Sequence, residues 1–285
     1  MNLVKTVMLL SLLTVILYTL STLLIGGPAG SFTGILLGAI TNIGAWYFSD
    51  GMVLTSYGAK DPITRQKSRQ LYDIVQSLSQ KAGLPMPDIY IIPTQAANAF
   101  ATGRSPKQAA VAVTQGLLRL LPTDELEGVI AHEISHIRNY DTLIQAVAAT
   151  VANAIAFLAQ MSRYGLWFGG RRQNNNGASR FLTMVLSVIL LPIAASIIQM
   201  AISRTREFEA DRDAAFLTGN PLALARALER LQNQGRELPM EGNLVFEPLL
   251  IINSFSGQFL GNLFSTHPPT EARIKNLMKI AQELR

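Results

Sequence analysis

The sequence predicts a mainly α-helical polytopic membrane protein with a small β-sheet, and three observations lead there. Charged residues make up only 15% of the 285-residue chain, against roughly 25% in soluble proteins. The deficit is concentrated, because residues 6–49, 142–162 and 181–203 contain no charged residue at all. The polar stretches between these runs carry apolar positions at helical spacing, apart from three short segments with the composition of strands.

A helix crosses the hydrocarbon core in about 20 apolar residues. Residues 1–53 are therefore long enough for two transmembrane helices, with the turn at residues 26–30, GGPAG. The apolar stretch exceeds the core of a signal peptide and a second span follows at once, so it reads as an anchor. Gly34 and Gly38 have the GxxxG spacing of closely packed helices. Residues 62–82 alternate at helical spacing up to Gly83, a helix-ending residue. A short strand bounded by prolines follows, within residues 84–93. Residues 98–103 and 108–114 read as two strands joined by a turn at 104–107, and residues 116–121 as a short helix ended by Pro122. Thr123 reads as the N-cap of the next helix, with Asp124, Glu125 and Glu127 placed where negative charge suits the helix dipole. Val129, Ile130, Ile134 and Ile137 give this helix an apolar stripe, and it is expected to run straight toward the third span. Residues 142–203 read as a hydrophobic helical hairpin, the third and fourth spans. Beyond it a helix extends to Gly219, and residues 221–235 and 270–284 form two further amphipathic helices. Residues 54–141 and 204–285 together make one domain outside the bilayer.

Cysteine is absent, which excludes disulfides and thiolate zinc sites. The net charge of +5 is explained by basic residues flanking the spans, and no motif points to nucleic acid. Lys5, Lys60, Arg65, Lys67 and Arg69 fall on the same side as Arg204, Arg206 and Arg212. The positive-inside rule makes that side cytoplasmic, in a multi-pass protein of the cell's inner or plasma membrane. The hairpin tip carries Arg171, Arg172 and Arg180, so full crossing and partial embedding of residues 142–203 both stay open.

Two of the three histidines stand four apart in His132-Glu133-Ile134-Ser135-His136. Residues at that spacing share a helix face, so both imidazoles can reach one ion. Imidazole binds zinc at about 2.0–2.1 Å, and a catalytic zinc takes three protein ligands and keeps one position for water. Glu133 lies about 100° further round the helix and can take a proton from that water, whose pKa zinc lowers to about 7. This is the HExxH arrangement of metallopeptidases. A structural zinc would need four side-chain ligands, and this chain has no cysteine and one further histidine. One zinc per chain is expected.

The third ligand is sought in Glu207-Phe208-Glu209-Ala210-Asp211. If Glu207 binds zinc, Asp211 faces the same way one turn on and can accept the free N–H of a ligand histidine. Glu209 has no such partner, so Glu207 is preferred. Antiparallel spans bring the residues before 142 beside those after 203. At 1.5 Å per residue His136 and Glu207 then stand about 9 and 6 Å above one membrane face, with the metal within about 10 Å of lipid. His267, the third histidine, reads either as a loop residue before two prolines or as a catalytic donor to the oxyanion of a tetrahedral intermediate.

HEISH, then EFEAD after a hydrophobic hairpin, then STHPP, all behind two N-terminal spans, resemble the HtpX-type membrane zinc metalloproteases, relatives of the CAAX prenyl endopeptidases. The resemblance covers essentially the whole chain. It implies a zincin-like (gluzincin) catalytic domain in which His132, His136 and Glu207 bind zinc and Glu133 is the general base. It implies that Asn98, Ala99, Phe100 and Ala101 form an edge strand beside the cleft, where an extended substrate can add through its backbone; Phe100 reads equally as a core residue. Arg204, three residues before Glu207, reads as a lipid-phosphate contact or as a buttress of the site. The implied activity is ATP-independent cleavage of misfolded or damaged membrane proteins in quality control and stress response, with the bilayer and unfolded polypeptides as partners. An intramembrane protease would hold its zinc helix within a span, whereas Asp124, Glu125, Glu127, Arg138 and Asp141 flank this one. A non-catalytic zinc-fold adaptor would have no use for Glu133.

Overall fold

The computed structural model describes residues 2–25, 27–145, 147–148, 204–238, 250–251 and 268–284. Most of the expected hairpin at 142–203 and His267 lie outside the described residues. Two long helices open the chain, α1 (Asn2–Ile25) and α2 (Gly27–Ser56), joined where Gly27 adopts φ +58°. They pack antiparallel through glycines spaced by four. A Cβ on Gly34 would sit 2.5 Å from Tyr18 Cα, and one on Gly38 would sit 2.9 Å from Thr14 Cγ2. The close approach lets Asn42 Nδ2 donate across the pair to Thr14 Oγ1 (2.8 Å) and to the Leu10 carbonyl (3.1 Å). The outward faces leave Val7, Met8, Val15, Phe32, Ile35, Ile40 and Ile43 exposed. Among the described residues, which omit several side chains of α1 and α2, no helix is long and apolar enough to cross a membrane.

Helix α2 runs on into the second part of the molecule. Its last turns carry Val53 and Leu54, which with Tyr57 pack against Ile92, Phe100, Ala110, Ala112 and Leu250 beneath a three-stranded sheet. The strands are β1 (Asp88–Ile92), β2 (Ala99–Ser105) and β3 (Gln108–Thr114), in the order β1-β3-β2. β1 is parallel to β3 and β2 antiparallel to it. Helix α3 (Arg69–Ala82) begins later than residue 62; it buries Leu71, Val75 and Leu78 and ends on Gly83 at φ 69°. Helix α4 (Gln115–Leu120) is capped by Thr114, whose hydroxyl accepts from Leu117 N–H.

At the centre is α5 (Thr123–Arg138), packed against α3, β2, α6 (Arg204–Thr218) and α7 (Pro221–Glu237); α8 (Thr270–Glu283) packs against α6 and α7. Two expectations for α5 need correction. Thr123 is the first helical residue and Pro122 the cap, with no capping side-chain bond. The helix also does not run straight on: it stops at Arg138, Tyr140 takes φ 58°, and residues 141–145 begin a new helical segment. The acids of the first turn do more than meet the dipole. Glu125 is buried and paired with Arg226 and Arg230 of α7, at 3.3 and 2.8 Å. Gly128 lets the two helices close, since a Cβ there would lie 3.1 Å from Leu224 Cα.

Candidate metal centre

His132 and His136, one turn apart on α5, both point into the interior and are 1% and 5% exposed. Their Nε2 atoms stand 3.1 Å apart with the rings edge to face. Glu207 in the first turn of α6 is fully buried. Its carboxylate oxygens lie 3.7 Å from His132 Nε2 and 3.6 Å from His136 Nε2. Glu209, the alternative, is exposed on another side of α6. One ligand atom from each of His132, His136 and Glu207 falls within 4.8 Å of the others, so this group could hold a metal ion. The spacing suits zinc, because tetrahedral bonds of about 2.0–2.1 Å set ligand atoms about 3.3 Å apart. The donor set suits it too: two imidazoles and a carboxylate, with the further carboxyls of Glu133, Asp141 and Asp211 buried around them.

Each imidazole has a carboxylate behind it, and each carboxylate has an arginine behind it. His132 Nδ1 lies 3.0 Å from Asp211 Oδ1. Arg273 of α8 grips Asp211 with two bonds, Nε to Oδ2 at 2.9 Å and Nη2 to Oδ1 at 2.6 Å. Its Nη1 donates to the Ile251 carbonyl (3.0 Å), and Nη2 is 3.3–3.4 Å from the ring nitrogens of His132. On the other side His136 Nδ1 lies 3.1 Å from Asp141 Oδ2, whose partner oxygen accepts from Arg206 Nη1 at 2.8 Å. Such backing fixes ring orientation and raises ligand basicity.

Protonation follows from burial and these contacts. Burial, with the charge of Arg273, pushes His132 down to about 4. Burial acts the same way on His136 but loses to the hydrogen bond with Asp141 and the charges of Glu207 and Glu133, which raise it to about 9. Burial drives the Glu133 carboxyl up to about 7, opposed by His136 and by a hydrogen bond from the Ala101 backbone. Asp211 and Asp141 stay below the usual carboxylate range in spite of burial, held by Arg273 and by His136 and Arg206 respectively.

Ala99, Phe100 and Ala101 open the outer strand β2 and Asn98 directly precedes it; all four are buried, and the Ala101 backbone reaches the site through Glu133. The Phe100 ring lies in the core against Tyr57, with centroids 5.4 Å apart. The Asn98 carboxamide oxygen accepts from the N–H groups of Ala99 and Ile251, and Ile251 N–H also reaches the Ala99 carbonyl. What the segment offers its surroundings is therefore backbone and carboxamide. The Arg204 side chain lies outside the described residues; among those described, Arg206 and Arg273 buttress the site. Sequence reasoning missed Asp141, Arg206 and Arg273 in these positions. A signal existed for Arg273, which is in phase with the buried Leu277 and Ile280 of α8.

A model of peptidase family M48 matches residues 65–281. The chain is 58% identical to a protein named Protease HtpX homolog from Nostoc punctiforme, over 99% of this chain and 98% of that one. It is 46% identical to another of the same name from Pyrococcus furiosus, over 99% and 96%. The fold is similar to that in the crystal structure of S. mikatae Ste24p, with a TM-score of 0.51 and 19% identity; the match covers 85% of this chain and 57% of that one.

Proposed function

The chain belongs to peptidase family M48, among its HtpX-type proteases, and from that premise we propose a membrane-anchored zinc endopeptidase with its metal on His132, His136 and Glu207 and with Glu133 as general base. One observation carries the reading: three ligand atoms from two helices converge within 4.8 Å in a buried site, with Glu133 adjoining them on α5. A zinc ion bound by His132, His136 and Glu207 would supply a Lewis acid for the scissile carbonyl and would lower the pKa of a water. Glu133, whose carboxyl burial raises above the usual carboxylate range, adjoins the ligand histidines on α5 and would act as the base that moves a proton from an attacking water to the leaving amine. The Ala101 backbone bond holds its carboxyl toward the outer strand. Asp211 orients His132; for His267, outside the described residues, the sequence alone supports a donor role to the developing oxyanion.

An extended polypeptide lies beside β2 beyond Ala99, whose carbonyl is taken by Ile251 N–H, and is gripped through its backbone, which demands little of its sequence. That tolerance fits the removal of misfolded or damaged membrane proteins from the cytoplasmic side. Anchoring is supported by the charge-free run at 6–49 and by the exposed apolar faces of α1 and α2.

The test is cleavage of an unfolded casein-type substrate by the purified, zinc-supplemented protein in detergent. Wild type should cleave it. Glu133→Ala should lose at least about 100-fold in turnover while binding as much zinc. Equal cleavage by the two proteins, or none by either, sinks the reading.

A further inference from the structure

Helix α5 ends two residues after His136, and the way it ends carries the inference. Among the described residues Tyr140 is the one non-glycine with positive φ, at 58°, and its side chain is half exposed. A β-carbon makes that conformation unfavourable, and strain of this kind persists where the surroundings hold it and often where function uses it. Its local effect is geometric. On an uninterrupted helix at 100° per residue, Asp141 would be turned about 140° away from His136. The left-handed residue breaks the helix and swings Asp141 back, so that Oδ2 comes within 3.1 Å of His136 Nδ1. Asp141 is 1% exposed. Its other oxygen takes the Arg206 guanidinium at 2.8 Å, and Arg206 directly precedes the ligand-bearing Glu207 on α6.

We infer that Asp141, aimed by the turn at Tyr140 and anchored by Arg206, is the positioning residue of His136. The inference rests on the zinc reading above. Asp141 accepts the proton on His136 Nδ1, which leaves the Nε2 lone pair for the metal. Arg206 keeps the carboxylate from turning and ties this orientation to the helix that supplies Glu207. The competing view is that Asp141 and Arg206 merely stitch α5 to α6; such a stitch would support folding without selecting a tautomer.

The chain has three histidines, so full-length protein labelled with 15N-histidine in detergent yields three imidazole signatures, assigned by single substitution. In zinc-loaded wild type His136 should carry its proton on Nδ1 and bind through Nε2; coordination through Nδ1 overturns the inference without any variant. Zinc affinity, read by competition with a chromophoric chelator, should fall about 10–100-fold in Asp141→Asn. Arg206→Met should fall in the same direction, with Arg206→Lys recovering part of the loss. Tyr140→Gly adopts the turn without strain and should bind zinc within about twofold of wild type, whereas Tyr140→Pro, with φ locked near −65°, should bind as weakly as Asp141→Asn. Asp141→Asn and Arg206→Met proteins that unfold at lower temperature yet bind zinc as tightly as wild type would show the pair to be a stitch. Wild type that binds no zinc would defeat the parent reading as well, and so is told apart from a failure of this inference alone.

Discussion

At the scale of single residues the site separates two glutamates that the sequence places two positions apart. Glu207 is buried between the histidines and Glu209 is exposed. Glu207→Gln replaces a charged ligand with a neutral one, so it should abolish stoichiometric zinc binding in metal analysis of the purified protein. Glu209→Gln should leave zinc content and cleavage near wild type. Zinc lost from Glu209→Gln and kept in Glu207→Gln would reverse the assignment. The preference for Glu207 was legible because Asp211 shares its helix face. Asp141 was not legible. Reading α5 as continuous turns that carboxylate away from His136; Asn139, which caps the helix, is a turn former, but the left-handed position itself falls on a tyrosine. Arg273 was hidden by a different habit: a charged side chain on an amphipathic helix is read as solvent-facing, yet this one lies on the buried face and spends its donors on Asp211 and Ile251.

At the scale of elements, periodicity found the helices better than it found their ends. The amphipathic stripes of α3, α5, α7 and α8 are local properties of the chain, and so is the left-handed Gly83 that stops α3. The parallel pairing of β1 with β3 is non-local and left no mark on either strand. The α1–α2 pair is intermediate: GxxxG spacing hinted at it, and Asn42 completed it with a bond across the helices. That packing gives a prediction with an internal control. A side chain at Gly34 would collide with the backbone of Tyr18, while nothing lies within 4 Å of a Cβ at Gly44. Gly34→Leu should destabilise the helix pair by about 1–3 kcal/mol through overpacking, and Gly44→Leu should cost little. Thermal unfolding of the two variants in detergent checks the difference, and equal melting temperatures would mean that the glycines do not set the packing.

At the scale of the whole molecule, α2 is the link between the apolar hairpin and the metal centre. Its 30 residues reach about 45 Å at 1.5 Å each, more than the roughly 30 Å of hydrocarbon. One end meets α1 beside the turn at Gly27, and the other is embedded with Val53 and Leu54 under the sheet that carries β2. A helix held this way fixes how far the site stands from the turn, and if α2 spans the bilayer it also fixes on which side the site lies. The absence of cysteine makes the arrangement directly measurable. Ala29→Cys beside the turn and Lys67→Cys beyond α2 each introduce a single thiol at an exposed position. With a membrane-impermeant maleimide, Lys67→Cys should label in inverted vesicles and Ala29→Cys in right-side-out ones. This follows from Lys60, Arg65, Lys67 and Arg69 clustering just after α2, since basic residues stay cytoplasmic. Labelling of both thiols from one side would mean that the hairpin rests on the surface. Reversed labelling would turn the site outward, and the substrates would then have to be sought on the opposite face.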